Sequence, residues 1–381
     1  MPACFTYPAA KFASSQSIPP AELHQLTITD DSMNAQPNSQ SSTHGSRYLW
    51  LADVSLLLVA LIWGVNIPVM KVALSRIDAY AFNAIRLVVS SLVLMYFARR
   101  EFLQGIKPSG SLSKRDVFIY ASIVSVAYQF LFLLAIARAT SADVALIMAT
   151  VPMWTAIGAR FFLKEFLPLM AWVGLIIAFA GTMIVTLHKV PPPATLPPAI
   201  SDSSPELSNS ETEIASAATQ ESTAAATRLL GNLLALSAAL AWASGTVFSR
   251  PLLGKISPIQ LSACSATLGL PFHIVVALWM GAGSIPASIA AMKAPSLIAC
   301  VVYSGTLSTG LALAMWSYGV KHAGAAQAAM IQNLTPIVAM AAAWIWLGET
   351  INTAQALGGA MIIGGLFIMR RSRQLGASRS A

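Results

Sequence analysis

Charged residues are scarce in this sequence. Asp, Glu, Lys and Arg together make up 10% of the 381 residues, and hydrophobic residues make up 56%. A typical soluble domain carries about 25% charged residues. So few charged side chains could not cover a folded surface that faces water. The composition therefore excludes an ordinary soluble protein and predicts that much of the surface faces lipid.

Cysteines and catalytic motifs are also scarce. The cysteines, Cys4, Cys264 and Cys300, lie too far apart to indicate a disulfide framework or a metal site. The sequence contains no HExxH, no GxSxG, no phosphate-binding glycine loop and no paired acidic residues within an apolar run. We therefore predict no enzymatic activity, no cofactor and no bound metal.

The charges that are present do not indicate a nucleic-acid partner, although the formal net charge is +8. Lys and Arg occur in short clusters between apolar runs rather than on one polar face. The predicted partners are a small-molecule substrate and the lipid bilayer, and a homodimer is left open.

Long apolar runs are abundant. A helix needs about 20 mostly apolar residues to cross the hydrocarbon core of a bilayer. Lys and Arg are more frequent in every second segment between these runs, and loops rich in Lys and Arg stay in the cytoplasm. The sequence therefore predicts a multi-pass protein of the cell (plasma) membrane with both termini cytoplasmic. The sequence predicts an all-α fold with ten transmembrane helices, at residues 50–70, 79–98, 116–137, 141–162, 168–187, 229–250, 258–281, 295–319, 323–347 and 354–370.

Polar segments divide the chain. Residues 1–48 lack the apolar core of a signal peptide, and we predict a disordered cytoplasmic tail that starts at either Met1 or Met33. Residues 188–228 are rich in Pro, Ser and acidic residues and predict a flexible external linker. Residues 372–381 form a second cytoplasmic tail. Two units of five spans remain, 49–187 and 229–371.

The two units resemble each other. Unusual residue types coincide when the chain is shifted by 184 or by 179 residues, which indicates a duplication. Five spans is an odd number, so the second unit enters the membrane from the opposite side, and such inverted repeats build secondary transporters. The coinciding pairs are Pro152 with Pro336, Glu165 with Glu349, Gly174 with Gly358, Gly181 with Gly365, Trp63 with Trp242, and Lys71 with Arg250.

A known family has these features. The segment WGVNIPVMK (residues 63–71), Arg86 in span 2, Pro152 with the following LKE, and the glycines of span 5 resemble the EamA family of the drug/metabolite transporter superfamily. The resemblance covers residues 50–370 and implies ten spans and export or exchange of small metabolites such as amino acids. The second copy departs from the pattern, with Ala243 and Gly245 where Gly64 and Asn66 have their counterparts.

Polar residues within spans are the candidate substrate contacts, because they usually face the bundle interior. Trp63 and Asn66 share one face of span 1 and could offer an aromatic wall and an amide, or could pack and bond another helix. Arg86 could hold a substrate carboxylate through its fork of donors, or could be structural or gating, which we favour. Tyr128 and Gln129 in span 3 have no polar counterparts in the second unit.

Span 9 carries the polar cluster that we favour for specificity. Gln332 and Asn333 precede Pro336 and have apolar counterparts in the first unit. Trp242 and Trp316 are candidate walls of the same site, and a structural kink at Pro336 is the rival interpretation.

Other residues are predicted to move or to pack. Lys71, Pro152, Arg250 and Pro336 are candidate gating or hinge residues. Glu165 and Glu349 are each expected to stabilise the positive N-terminal end of the helix that follows. The glycine pairs 174/181 and 358/365 are expected to permit close helix packing, and His273 to pack in the core.

The function predicted is secondary transport of small metabolites by alternating access, as an exporter or exchanger of amino acids or related small organic solutes. No Asp or Glu lies deep in a span, which argues against coupling through a buried carboxylate. The alternatives are transport of nucleotide sugars, phosphorylated sugars or amphiphilic drugs, and a non-transporting membrane scaffold.

Overall fold

The computed structural model describes residues 39–136, 138, 144, 147–187, 210–348 and 353–379. Within these ranges the chain is helical and contains no β-strand. Glu349, Asp143 and the segments 1–38 and 188–209 lie outside the described residues, so the predictions made for them are not addressed.

The first half contains two long helices followed by shorter ones. Span 3 is interrupted by a π-helical segment, Ser122–Tyr128, between two α-helices. The helices are α1 (Ser39–Leu74), α2 (Ala79–Leu103), α3 (Lys114–Ala121), α4 (Gln129–Ile136), α5 (Val151–Phe162) and α6 (Leu169–Leu187).

The second half has the same kind of interruption. A π-helical segment, Tyr303–Leu311, divides span 8, and a 3₁₀ turn, Gln332–Leu334, divides span 9. A further 3₁₀ turn, Ala282–Ser284, follows span 7. The helices are α7 (Ser210–Leu252), α8 (Pro258–Met280), α9 (Ile285–Ala291), α10 (Pro295–Val302), α11 (Ala312–Ala323), α12 (Ala325–Ile331), α13 (Thr335–Leu347) and α14 (Thr353–Arg379).

Seven stretches of the described chain are long and apolar enough to cross a membrane, and each overlaps a predicted span. Of the other three predicted spans, 168–187 and 354–370 correspond to shorter apolar helices, Leu169–Ile184 and Thr353–Met369, and 141–162 is described fully only from residue 147. The seven stretches are Tyr48–Leu74, Ala79–Leu103, Lys114–Ala135, Leu229–Leu252, Pro258–Met280, Pro295–Ala323 and Ala325–Trp346.

The predicted boundaries of the irregular segments need correction. Helix α1 begins at Ser39, inside the predicted disordered tail, and α7 begins at Ser210, inside the predicted flexible linker. Residues 210–228 are rich in Ala and also contain Glu, and both are good helix formers. A segment with few apolar residues cannot build a hydrophobic core of its own. It can still continue a transmembrane helix beyond the bilayer, as residues 210–228 do at the start of α7.

Close packing of α6 against α14 depends on the two glycine pairs. A Cβ added to Gly174 would lie 2.5 Å from the carbonyl oxygen of Gly365, and one added to Gly181 would lie 2.5 Å from that of Gly358. Gly174 therefore faces Gly365, which is the repeat counterpart of Gly181, and Gly181 faces Gly358, which is the counterpart of Gly174. This crossed pattern is the one expected when two equivalent helices pack across a two-fold axis.

Candidate functional site

Aromatic side chains from four predicted spans meet in the interior of the bundle. The ring centroids of Trp63 and Trp242 lie 5.6 Å apart, those of Trp63 and Trp316 5.4 Å, and those of Trp242 and Trp316 5.8 Å. Tyr128 joins them, with its centroid 4.8 Å from that of Trp242. The structure thus brings together four of the predicted substrate residues, called below the aromatic cluster.

The polar atoms of this cluster are bonded unequally. The Trp63 indole N–H donates to the carbonyl oxygen of Ser308 at 2.9 Å, within the second π-helical segment. The Trp242 indole N–H is buried and has no hydrogen-bond partner among the described residues. Buried polar groups almost always have a partner, so an orphaned donor beside a cluster of aromatic rings suggests a ligand or water.

The polar part of span 9 lies at its break. The 3₁₀ turn Gln332–Leu334 ends one helix, and Pro336 lies in the first turn of α13, where its missing N–H costs little. The 3₁₀ turn directly before Pro336 is compatible with the kink interpretation, which stays a prediction beside the role in substrate specificity. Pro152 occupies the same kind of position at the start of α5.

Helix α1 packs directly on this break. A Cβ added to Gly64 would lie 2.9 Å from the carbonyl oxygen of Thr335, so the two backbones approach closely there. Several buried side-chain atoms of α1 and of the break have no partner among the described residues. They are Asn66 Oδ1, Gln332 Oε1, Asn333 Nδ2 and Thr335 Oγ1.

Gly245, the counterpart of Asn66, is explained by packing. A Cβ at Gly245 would lie 2.3 Å from a methyl group of Val124 in the first π-helical segment. No asparagine side chain could fit between α7 and that segment. The second unit therefore contributes no amide at this position, and Asn66 has no amide counterpart there.

Arg86 is buried in α2 and bonds only neutral groups. Its Nε and Nη2 donate to Oδ1 of Asn83 at 3.0 and 2.8 Å. Nη2 also donates to Oε1 of Gln129 at 3.1 Å, and Nη1 donates to Oγ1 of Thr309 at 3.2 Å. None of these acceptors carries charge. The sequence analysis identified Arg86 and Gln129 but missed Asn83, whose polarity inside a predicted span was the available signal.

A second layer fixes the orientation of Asn83. Its amide nitrogen lies 3.2 Å from Nδ1 of His273, and Nε2 of His273 lies 2.7 Å from the carbonyl oxygen of Ser125. The carbonyl can only accept, so Nε2 carries the proton and Nδ1 accepts from Asn83. His273 is buried, as expected for a core residue, and it also positions the acceptor that holds Arg86.

A cavity of about 80 Å³ borders Arg86 at the predicted external end. Two residues that are adjacent in the sequence connect this cavity with the aromatic cluster: Tyr128 belongs to the cluster, and Gln129 accepts from Arg86. Ser308 and Thr309 form a second adjacent pair of this kind. The cavity is lined by Met70, Leu74, Ala79, Tyr80, Phe82, Asn83, Arg86, Gln129, Phe132 and Leu133.

At the predicted cytoplasmic end, Glu165 joins the two halves. Its two carboxylate oxygens accept from the backbone N–H groups of Ala325 (3.1 Å) and Ala326 (3.2 Å), at the start of α12. Glu165 therefore stabilises a helix of the other half, not the helix that follows it, and the prediction is corrected. Gly324 makes the preceding turn with a positive φ of 97°, a conformation that favours glycine.

Two further contacts reinforce this junction, called below the cytoplasmic clasp. Arg250 Nε lies 3.8 Å from Oε1 of Glu165, and its Nη1 donates to the carbonyl oxygen of Lys321 at the end of α11. Gln327 donates to the carboxylate of Asp53 in α1. Arg250 thus contacts both halves at one end, while its counterpart Lys71 is exposed.

These features define an integral membrane protein with several spans, a buried polar and aromatic centre and a junction of charges at one end. The sequence model of the EamA-like transporter family matches residues 50–187 and again residues 229–371. The chain therefore belongs to the EamA-like transporter family, within the drug/metabolite transporter superfamily.

Individual relatives give the same class. The chain is 24% identical to the uncharacterized transporter YetK of Bacillus subtilis over 323 residues, which cover 83% of this chain and 86% of the relative. It is 29% identical over 133 residues to a probable terminal-alkyne amino-acid exporter of Streptantibioticus cattleyicolor, covering 35% of this chain and 42% of that protein. A solved crystal structure has the same fold, with a TM-score of 0.63 and 15% identity over 84% of this chain and 98% of that one.

Proposed function

We propose that this member of the family is a secondary transporter that exports or exchanges amino acids or related small organic solutes by alternating access. The proposal includes ten spans in two inverted repeats, a position in the plasma membrane and both termini in the cytoplasm. Its substrate site is the aromatic cluster together with Asn66 and the polar break of span 9.

One observation supports this site above all others. Of the twelve buried side-chain polar atoms that have no partner among the described residues, five belong to Trp242, Asn66 and the break of span 9. Leaving a buried donor or acceptor unpaired costs about 1–3 kcal/mol each, and such groups are rare in cores that only pack. A solute that enters this space would supply the missing hydrogen bonds.

The chemistry of these atoms suits an amino acid. Asn333 and Trp242 offer N–H donors, Asn66 and Gln332 offer carbonyl acceptors, and the indole rings offer apolar walls. A zwitterion needs both donors and acceptors. The relative named as a probable amino-acid exporter supports this choice through its name alone, since it matches only part of the chain.

Alternating access requires one end of the bundle to close while the other opens. The cytoplasmic clasp joins the two halves at one end, and the cavity beside Arg86 lies at the other. The crossed glycine contacts between α6 and α14 are those of two equivalent, antiparallel helices, which is the packing an inverted repeat requires.

Counterflow in proteoliposomes tests the proposal. Vesicles are preloaded with a mixture of unlabelled amino acids, and entry of each labelled amino acid is followed for the wild type and for Gln332→Ala combined with Asn333→Ala. Ser237→Ala, on the exposed side of α7, is the matched control. Saturable entry that the double variant loses and the control keeps supports both the function and the site.

Two other outcomes would redirect the proposal. Entry that survives in the double variant would keep amino-acid transport and remove span 9 from the site. No entry above that of empty vesicles, with the protein shown to be folded, would remove amino acids. Nucleotide sugars, phosphorylated sugars, amphiphilic drugs and a scaffold role would then be tested.

A further inference from the structure

We propose that the guanidinium of Arg86 binds the carboxylate of the solute, so that the substrates of this protein are carboxylates. The inference rests on the proposed function and narrows its substrate class. It concerns the cavity beside Arg86, which the substrate site proposed above does not include.

The charge of Arg86 has no counter-ion among the described residues. The side chain is only 9% exposed, and its hydrogen-bond acceptors are an asparagine, a glutamine and a threonine. No described Asp or Glu forms an ion pair with it; the acidic side chain in the recorded ion pair, Glu165, belongs to the cytoplasmic clasp. A buried cation is strongly disfavoured unless an anion pairs with it.

The guanidinium is held ready for such an anion. Asn83 accepts from both Nε and Nη2, and His273 fixes the orientation of Asn83 from behind. The planar fork therefore keeps its direction when a ligand arrives, which suits bidentate binding of a carboxylate.

One acceptor can give way to a ligand. Gln129 lines the same cavity as Arg86 and is only partly buried, and its amide oxygen occupies one N–H of Nη2 at 3.1 Å. Four N–H···O contacts to Arg86 are present, and a guanidinium has five N–H groups, so one N–H of Nη1 is also unused. A carboxylate that replaces the Gln129 oxygen could therefore accept from the freed N–H of Nη2 and from the unused N–H of Nη1.

The neighbouring residues suggest where the rest of the solute lies. Tyr128 belongs to the aromatic cluster and Ser308 accepts from Trp63. The residues that follow them, Gln129 and Thr309, both accept from Arg86. A solute with its carboxylate on Arg86 would therefore extend its remaining groups toward the aromatic cluster. If Arg86 is purely structural, it only links α2 to α4 and to the second π-helical segment, and the solute needs no carboxylate.

The decisive variant is Gln129→Glu. The change keeps the shape of the side chain and puts a carboxylate 3.1 Å from Nη2, where it becomes a built-in counter-ion. If Arg86 binds the solute's carboxylate, the new Glu occupies the site, and affinity for carboxylates falls at least about tenfold, as expected for loss of a hydrogen bond to a charged group. If Arg86 is structural, Gln129→Glu strengthens the network and leaves solute affinity unchanged.

Binding is measured on the purified full-length protein, by thermal unfolding and by intrinsic tryptophan fluorescence, to which three of the nine tryptophans contribute from the aromatic cluster. The probes are neutral L-amino acids and the corresponding amino-acid amides, which differ only in the carboxylate. Arg76→Gln removes an exposed charge near the same end and serves as the control. We expect the amino acids and not the amides to shift both signals, with Gln129→Glu losing the shift while its own unfolding temperature stays at or above that of the wild type.

Three results would overturn the inference: no shift with amino acids in the wild type, equal shifts with the amides, or undiminished binding by Gln129→Glu. Failure of the proposed function gives a different pattern. Carboxylate binding without counterflow would keep the Arg86 site and remove transport of amino acids. Counterflow that accepts amides as well as amino acids would keep transport and remove the role of Arg86.

Discussion

Trp63 and Trp242 occupy equivalent positions in the two halves of the sequence, 179 residues apart, and their rings meet edge to face with centroids 5.6 Å apart. A residue can touch its own repeat counterpart only near the axis that relates the two copies. The contact therefore supports an axis that passes through the aromatic cluster. The candidate substrate site lies where a rearrangement between the halves would change it most.

The two tryptophans are expected to respond differently to substitution. Trp63→Phe removes the hydrogen bond to Ser308 and should lower the free energy of unfolding by about 1 kcal/mol. Trp242→Phe leaves a similar cavity but removes an N–H that has no described partner, so it should lose less stability than Trp63→Phe, while counterflow should fall severalfold. Thermal unfolding and counterflow of the two variants check the difference. Equal loss of stability in both would argue that Trp242 only packs.

Helix packing through the glycine pairs gives a second prediction. Gly174→Ala puts a methyl group 2.5 Å from a backbone oxygen of α14, so the helices must separate, which should cost about 1–3 kcal/mol. Gly364→Ala adds the same atom where nothing lies within 4 Å, and should be neutral or slightly stabilising. Thermal unfolding of the pair in detergent checks this. Equal unfolding temperatures would contradict the close contact of α6 with α14.

The start of α13 gives a third prediction. Pro336 lies in the first turn of α13, a position at which proline and its fixed φ are well tolerated. Pro336→Ala should therefore change stability by less than about 1 kcal/mol and leave counterflow largely intact. A loss of transport with unchanged thermal unfolding would instead show that Pro336 acts as a hinge, as the sequence analysis allowed.

The sequence predicted some of this site because a few residue types carry strong constraints. Apolar runs, the matching glycines and the tryptophans indicated the helical membrane fold and the residues that meet. The π-helical segments could not be predicted, because they leave no periodic signal in sequences such as SIVSVAY (residues 122–128). They nevertheless carry Tyr128, Ser308 and Thr309, in keeping with the frequent occurrence of such segments at functional sites.

The partner of Glu165 was wrongly predicted for a related reason. A carboxylate just before a helix usually stabilises that helix, and sequence proximity alone favoured the helix following Glu165. The structure shows the N-terminus of α12 to be its partner, 160 residues away. Such long-range partners depend on how the two halves pack, which sequence spacing does not report. The absence of an amide at Gly245 is the same kind of effect, since Val124 fills that space.

The cytoplasmic clasp predicts a change in access from one side. Glu165→Gln removes the charge that attracts Arg250 and the start of α12, yet keeps a similar shape and one acceptor oxygen. The closed contact should weaken, and the bundle should open more often at this end. Met330 in α12 is only 1% exposed, so Met330→Cys in a protein otherwise free of cysteine reports that opening.

Labelling of this cysteine by a membrane-impermeant maleimide, supplied from the cytoplasmic side, measures the effect. We expect labelling to rise severalfold in Glu165→Gln, and the added solute to change the rate again. Glu101→Gln is the matched control, because Glu101 lies at the same end and accepts from Ser257 outside the clasp. If the two variants label equally, Glu165 holds a helix end in place without gating, and the closing contact must be sought elsewhere between the halves.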